Sequence, residues 1–246
     1  MAVDEASPPT KTTAVSVARG AVAEAVGTAL LVAIVVGSGI FAERLSTDEG
    51  LQLLENSIAT AFGLMALILA FGKVSGAHFN PVVTLADRFL GGIDTARALA
   101  YIGAQVAGGC AGTIIANLMF DLPAVEWSTH TRSSGGLWLG EIVATFGLLT
   151  VILGVVRSGR TAAAPFAVGA YIGAAYWFTS STSFANPAVS IARTLTDSFA
   201  GIRPSSVPAF VVAQCAGAAA AVALALFLHP TLPDEAERIV VPRDEP

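Results

Sequence analysis

Six long apolar stretches constrain this chain more than any other feature. They cover about 18–41, 56–71, 95–119, 137–156, 163–179 and 207–228. A helix needs about 20 apolar residues to cross the hydrocarbon core of a bilayer. Backbone inside that core must satisfy its own hydrogen bonds, which leaves helices or closed barrels. Runs of this length read as helices. Composition agrees: 54% of residues are hydrophobic and 13% charged, where a soluble domain carries about a quarter charged. The second and fifth stretches are short as clean runs. Each is followed by a segment, 72–85 and 180–195, too polar to span and too apolar for an ordinary loop. Both read as re-entrant segments. The expected fold is an all-α membrane protein with six transmembrane helices and two re-entrant half-helices.

Residues 1–17, with Pro8 and Pro9, are expected to form a disordered tail, with no cleaved leader at the front. Residues 230–246 read as a second tail, and 18–229 as a single membrane domain. With six spans, alternate loops share a side. Nine of the 13 Lys and Arg residues fall on the side of the termini, and four, Arg44, Arg132, Arg193 and Arg203, on the other. That bias places both termini in the cytoplasm. The net charge of -5 argues against a nucleic-acid partner. Cys110 and Cys215 each lie in an apolar run and read as small buried hydrophobes. His78, His130 and His229 lack metal-ligand spacing, so no metal is expected. No nucleophile–base pair supports a catalytic site, and nothing calls for a cofactor.

The chain contains its own repeat. Asn80-Pro81-Val82-Val83-Thr84 resembles Asn186-Pro187-Ala188-Val189-Ser190. Upstream, Ala23-Glu24-Ala25-Val26-Gly27-Thr28 resembles Gly140-Glu141-Ile142-Val143-Ala144-Thr145. Downstream, the block from Ala100 through Gln105 to Gly108 resembles that from Ala209 through Gln214 to Gly217. Three blocks in the same order mark a duplication, with halves of about 18–125 and 126–229. Three spans per half is an odd number, so the second copy enters from the opposite face. An inverted repeat places a substrate path at the midplane between its halves.

Asn is a good N-cap and Pro suits the first helical position, so each Asn-Pro pair starts a short helix, over about 81–88 and 187–195. Inversion makes the two N-termini face each other. Each carries roughly half a positive charge, which repels a cation. If each Asn oxygen is tied to local backbone donors, its NH2 is free to donate to a passing neutral solute.

These motifs resemble the aquaporin superfamily, also called the major intrinsic protein family. Its paired Asn-Pro-Ala motifs stand here as Asn80-Pro81-Val82 and Asn186-Pro187-Ala188, and 74–81 is similar to its first re-entrant loop. The resemblance implies a channel domain over 18–229, a homotetramer in membrane lipid with one pore per subunit, and no enzyme activity. It also maps the family's membrane glutamates onto Glu24 and Glu141, expected to brace the re-entrant loops.

The family sets selectivity at four positions, located by counting from the Asn residues. They fall on Thr60, Ala174, Ser183 and Val189. Tyr176 is the alternative to Ala174, because the spacing from Pro165 to Asn186 is about two residues shorter than the family's usual spacing. The last position is almost always Arg in the family. Losing a full charge at roughly 5 Å and an effective dielectric of 20 removes about 3 kcal/mol of cation barrier. The expected constriction is wide and largely uncharged. Arg193, four residues after Val189, shares its helical face. It is expected either to line the outer vestibule or to pair with a loop carbonyl or carboxylate.

The run 175–189 together with Val36-Gly37-Ser38-Gly39-Ile40 resembles a bacterial aquaglyceroporin-like branch associated with arsenic resistance. That resemblance implies an inner-membrane channel for water, glycerol-like polyols, arsenite and related metalloid acids, and methylated arsenicals. The alternatives are a water-selective channel and a secondary carrier. A carrier usually places ionisable groups at the midplane, where this chain has Asn and Pro.

Overall fold

Polar caps set most of the helix starts in the computed structural model, which describes residues 16–229. The chain runs α1 (Val17–Leu45), α2 (Glu49–Ser75), α3 (Pro81–Leu90), α4 (Thr95–Met119), α5 (Gly135–Arg157), α6 (Ala164–Phe178), α7 (Pro187–Ala192) and α8 (Val207–Leu228). Side chains of Ser16, Asp48, Asn80, Asp94, Ser134 and Asn186 each accept a first-turn backbone N–H. Those donors have no partner inside the helix. Gly76 and Gly91, at φ of 90° and 95°, end α2 and α3 in the left-handed conformation that glycine adopts without strain.

Helices α1, α2, α4, α5 and the segment holding α8 are long and apolar enough to cross a membrane. The sixth span, α6, has 15 residues, about 22 Å at 1.5 Å per residue. A 3₁₀ turn at Thr161–Ala163 extends it at one end. Helix α2 begins seven residues before the expected run, because Glu49–Glu55, capped by Asp48 and carrying two Glu and a Gln among its leucines, continues the helix past the cleanly apolar part. The expected second half-helix divides into α7 and a 3₁₀ turn, Arg193–Leu195. The expected tails, 1–17 and 230–246, lie outside the described residues except for Ser16 and Val17.

Packing follows the repeat. Helix α1 packs against α4 as α5 packs against α8, and α3 meets α7. A Cβ on Gly108 or Gly112 would lie 2.1 Å from the carbonyl oxygen of Ala25 or Ala29, and one on Gly217 would lie 2.4 Å from that of Ile142. Only glycine permits backbones this close, the small-residue packing common between membrane helices. Large apolar side chains such as Val22, Leu30, Phe62, Leu99, Phe166, Val212 and Phe227 are exposed on the outside of the bundle.

Candidate functional site: a pore between the two repeats

The segments before α3 and α7 are held in a conformation that non-glycine residues rarely adopt. Ala77 and Phe79 have φ of 49°, and Thr182, Ser183 and Ala185 have φ of 60°, 54° and 47°. Each such residue costs on the order of 1–3 kcal/mol and persists only where its surroundings enforce it. Buried carboxylates do so here. Glu24 Oε1 accepts from Ser75 Oγ (2.6 Å) and His78 N (2.9 Å), and Oε2 from Phe79 N (2.6 Å) and Gln105 Nε2 (2.7 Å). Glu141 accepts from Phe184 N (2.9 Å), Ala185 N (2.8 Å) and Gln214 Nε2 (2.6 Å). Gln105 and Gln214 also donate to Thr84 and Ser190 at 2.9 Å. Each half repeats the same network.

The loops then lock each other. Asn80 Oδ1 accepts from Val82 N at 3.1 Å, and Asn186 Oδ1 from Ala188 N and Val189 N at 3.0 and 3.2 Å. Asn80 Nδ2 donates to Ala185 O and Asn186 Nδ2 to Phe79 O, both at 2.7 Å. An amide NH2 has two hydrogens. One is spent on the opposite loop, leaving the other for a solute, and both Asn residues line one cavity.

The cavity wall is built from i, i+4 stripes. Helix α2 contributes Thr60, Leu64 and Ile68, and α6 contributes Ala164, Val168, Ile172 and Tyr176. Helices α1 and α5 add the repeat-matched pairs Leu31, Val35 and Leu148, Ile152. Besides the hydroxyls of Thr60 and Tyr176, polar groups come from the segments between the long helices: His78, Asn80, Ser183, Asn186 and Arg193. A greasy conduit with a few aimed donors can pass a small neutral solute, and among the described residues no carboxylate lines it to hold a coupling ion.

The family sequence profile described as Major intrinsic protein matches residues 11–183. The chain belongs to the major intrinsic protein family. It is 52% identical over 210 residues to an aquaglyceroporin, AqpS, of Rhizobium meliloti, an alignment covering 85% of this chain and 90% of that one. It is also 35% identical over 175 residues to the aquaporin NIP1-4 of rice, covering 66% and 61%. In fold it matches the aquaglyceroporin of Plasmodium falciparum with a TM-score of 0.67 at 24% identity, covering 88% of this chain and 99% of that one. As a member of this family the chain is a membrane channel of aquaglyceroporin type for small solutes, not an enzyme.

The count from Asn186 leaves Ala174 and Tyr176 as alternatives, and the two side chains face opposite ways. Ala174 is exposed on the outer surface, while Tyr176 is buried in the cavity wall. The two differ by about 200° around the helix, and Tyr176 continues the stripe from Ala164. Its hydroxyl shares a hydrogen bond of 3.1 Å with Thr60 Oγ1. Thr60, Ser183 and Val189 line the same cavity. Ser183 Oγ has no protein partner among the described residues and is available to a solute. Arg193 lines the cavity, and its Nε donates to Ala200 O. The wall at this level is therefore not free of charged side chains.

Four features escaped the sequence reading. Gln105, Gln214, Thr84 and Ser190 sat in the aligned repeat blocks, so pairing polar residues across the halves would have found them. His78 lines the pore, with Nδ1 3.0 Å from Thr84 Oγ1 and Nε2 3.2 Å from Asp87 Oδ2. Phe184 and Arg132 carry no local signal. Their importance comes from the way segments 120–134 and 193–203 fold over each other, through bonds such as Ser128 N to Thr194 O at 3.0 Å and Arg203 N to His130 O at 2.8 Å.

Proposed function

We propose that this channel passes small neutral solutes, namely water, glycerol-like polyols, arsenite and related metalloid acids, and methylated arsenicals. The observation that carries the reading is that the free hydrogens of Asn80 and Asn186 share a cavity with Ser183, Thr60, Tyr176 and Val189. Two half-helix N-termini face that cavity and disfavour a cation, while its donors favour a solute with lone pairs. Val189 stands where the family usually has Arg, which leaves more width at that level. The 52% identical relative described as an aquaglyceroporin supports the same class. Against a carrier, both membrane glutamates are committed to loop N–H groups.

The Lys and Arg distribution supports cytoplasmic termini, which makes the mouth bearing Arg193 the external one. The resemblance supports a homotetramer in a bacterial inner membrane. The test is stopped-flow light scattering on proteoliposomes with glycerol, urea and arsenite as osmolytes. Rapid entry of all three without an ion gradient is expected. Fast water flux with no solute entry would establish a water-selective channel, and solute entry dependent on an ion gradient would establish a carrier.

A further inference from the structure

Two arginines meet on one aromatic ring beside the pore. The Arg193 guanidinium carbon lies 3.5 Å from the centroid of Phe184, and that of Arg132 lies 5.2 Å from it. Arg193 donates to Ala200 O, and Arg132 donates to Gly201 O (2.9 Å) and Phe199 O (3.2 Å). Both are thus held by carbonyls and a π-face. The His78–Asp87 and His130–Asp197 contacts involve neither. Neither guanidinium is neutralised by direct contact with a carboxylate. A buried charge without a counter-ion is costly and is normally retained for function.

The position of Arg193 is dictated by the repeat. Asp87 stands seven residues after Asn80, as Arg193 stands seven after Asn186. Likewise His78 and Phe184 each stand two before their Asn. In the first half the later side chain reaches the earlier one, Asp87 to His78. In the second half it does the same, Arg193 to Phe184. The architecture therefore aims this side chain at the pore-lining loop in both halves. At the Arg193 end, its backbone N–H bonds Val189 O, one turn away. The side chain is 3% exposed and lines the cavity with Thr60, Tyr176, Ser183 and Val189.

We propose that Arg193 is the cationic, specificity-determining residue of this pore, acting one turn beyond the position at which the family usually carries it. Arg132 adds a second charge at the same mouth, and Phe184 holds both. Val189 then widens one level of the constriction without giving up charge selection, which is exerted at the next. The inference rests on the channel reading above, and its test separates the two.

The probe pair is urea and guanidinium, nearly equal in size and shape and differing by one charge. Full-length protein in proteoliposomes should pass urea and exclude guanidinium. Arg193→Gln should raise guanidinium permeability by about a hundredfold, the factor for one unit charge at roughly 5 Å with an effective dielectric of 20. Urea permeability should stay near the wild-type value, because a neutral solute has no charge for the guanidinium to repel. Adding Val189→Arg to Arg193→Gln should restore exclusion, because both side chains face one cavity. Arg132→Gln should raise guanidinium permeability by a smaller factor, and Arg132→Lys should reverse that. An Arg193→Gln channel that passes urea with guanidinium permeability no higher than the wild type's overturns the proposal. Wild-type vesicles that pass neither urea nor glycerol overturn the channel reading instead. Should Arg193→Gln fail to assemble, an experimental structure of the wild-type protein decides. Arg193 over Phe184 in the pore wall supports the proposal, and Arg193 turned out of the pore refutes it.

Discussion

Replacing Glu24 by Gln changes one oxygen for an NH2 and almost no volume, so it isolates the carboxylate's role as a brace. Each Glu24 oxygen accepts two hydrogen bonds, from Ser75 Oγ and His78 N on one side and from Phe79 N and Gln105 Nε2 on the other. An amide nitrogen cannot accept. Whichever way Gln points, two buried donors lose their acceptor and face a third donor. At about 1–3 kcal/mol for each orphaned donor, Glu24→Gln should cost about 2–6 kcal/mol. The bonds being lost hold Ala77 and Phe79 at positive φ, so the loop should relax and solute flux should fall with stability. Thermal unfolding of the purified protein in detergent, with glycerol flux in proteoliposomes, measures both. Glu141→Gln should behave alike. The double variant should cost less than the sum, because the loops are tied by the reciprocal Asn80 and Asn186 bonds and relax together. A Glu24→Gln protein with wild-type melting and flux would show that the carboxylate does not hold the loop.

Val189→Arg sets a second guanidinium one turn from Arg193, so methylated arsenicals should be lost first, glycerol next and water least; uniform flux of all solutes in the light-scattering assay would remove Val189 from the wall. Gly108→Ala drives a methyl against the Ala25 carbonyl and should destabilise by about 3 kcal/mol. By contrast Gly103→Ala, with nothing within 4 Å of its Cβ, should be neutral or slightly stabilising; equal melting points would refute the close-packing argument. In the loop at the Arg193 mouth, the Thr129 N–H first, then the Thr129 and Ser128 hydroxyls and His130, hold the Asp197 carboxyl below the usual carboxylate range. A lowered carboxyl stabilises above its unfolded pKa of about 3.9 and loses that contribution as pH falls through the folded value. Pepsin should therefore leave 126–131 intact near the ordinary value and cut it as pH is lowered further, and Asp197→Asn should abolish that transition.

Sequence alone located α4 and α8 to the residue, because each begins at a sharp change from turn residues to a long apolar run. It shortened α2, since hydropathy registers where lipid begins rather than where the helix begins. The ambiguity between Ala174 and Tyr176 arose from counting backwards through a loop of unusual φ values, where spacing is not tied to a rise per residue. The stripe Ala164, Val168, Ile172, Tyr176 was present in the sequence and settles the face by helical periodicity. Arg193 was harder. Its register relative to Val189 was legible, but its ring and carbonyl partners come from segments that meet only through tertiary folding.

Duplication explains why the two ends of the pore differ so sharply on one scaffold. Glu24 and Glu141, Gln105 and Gln214, and Thr84 and Ser190 retain equivalent bonds in both halves, because the strained loops tolerate little else. The pair two before and seven after each Asn differs in its side chains, although the backbone N–H of His78 and of Phe184 serves the same brace. At one end it became His78 with Asp87, an imidazole 3.2 Å from a carboxylate. At the other it became Phe184 with Arg193, which leaves a net positive charge. A cation entering from the Arg193 end meets that charge before it reaches the facing helix N-termini at Asn80 and Asn186. The two barriers act in series. Removing either should therefore leave part of the exclusion standing, and full leakage should require both to be breached.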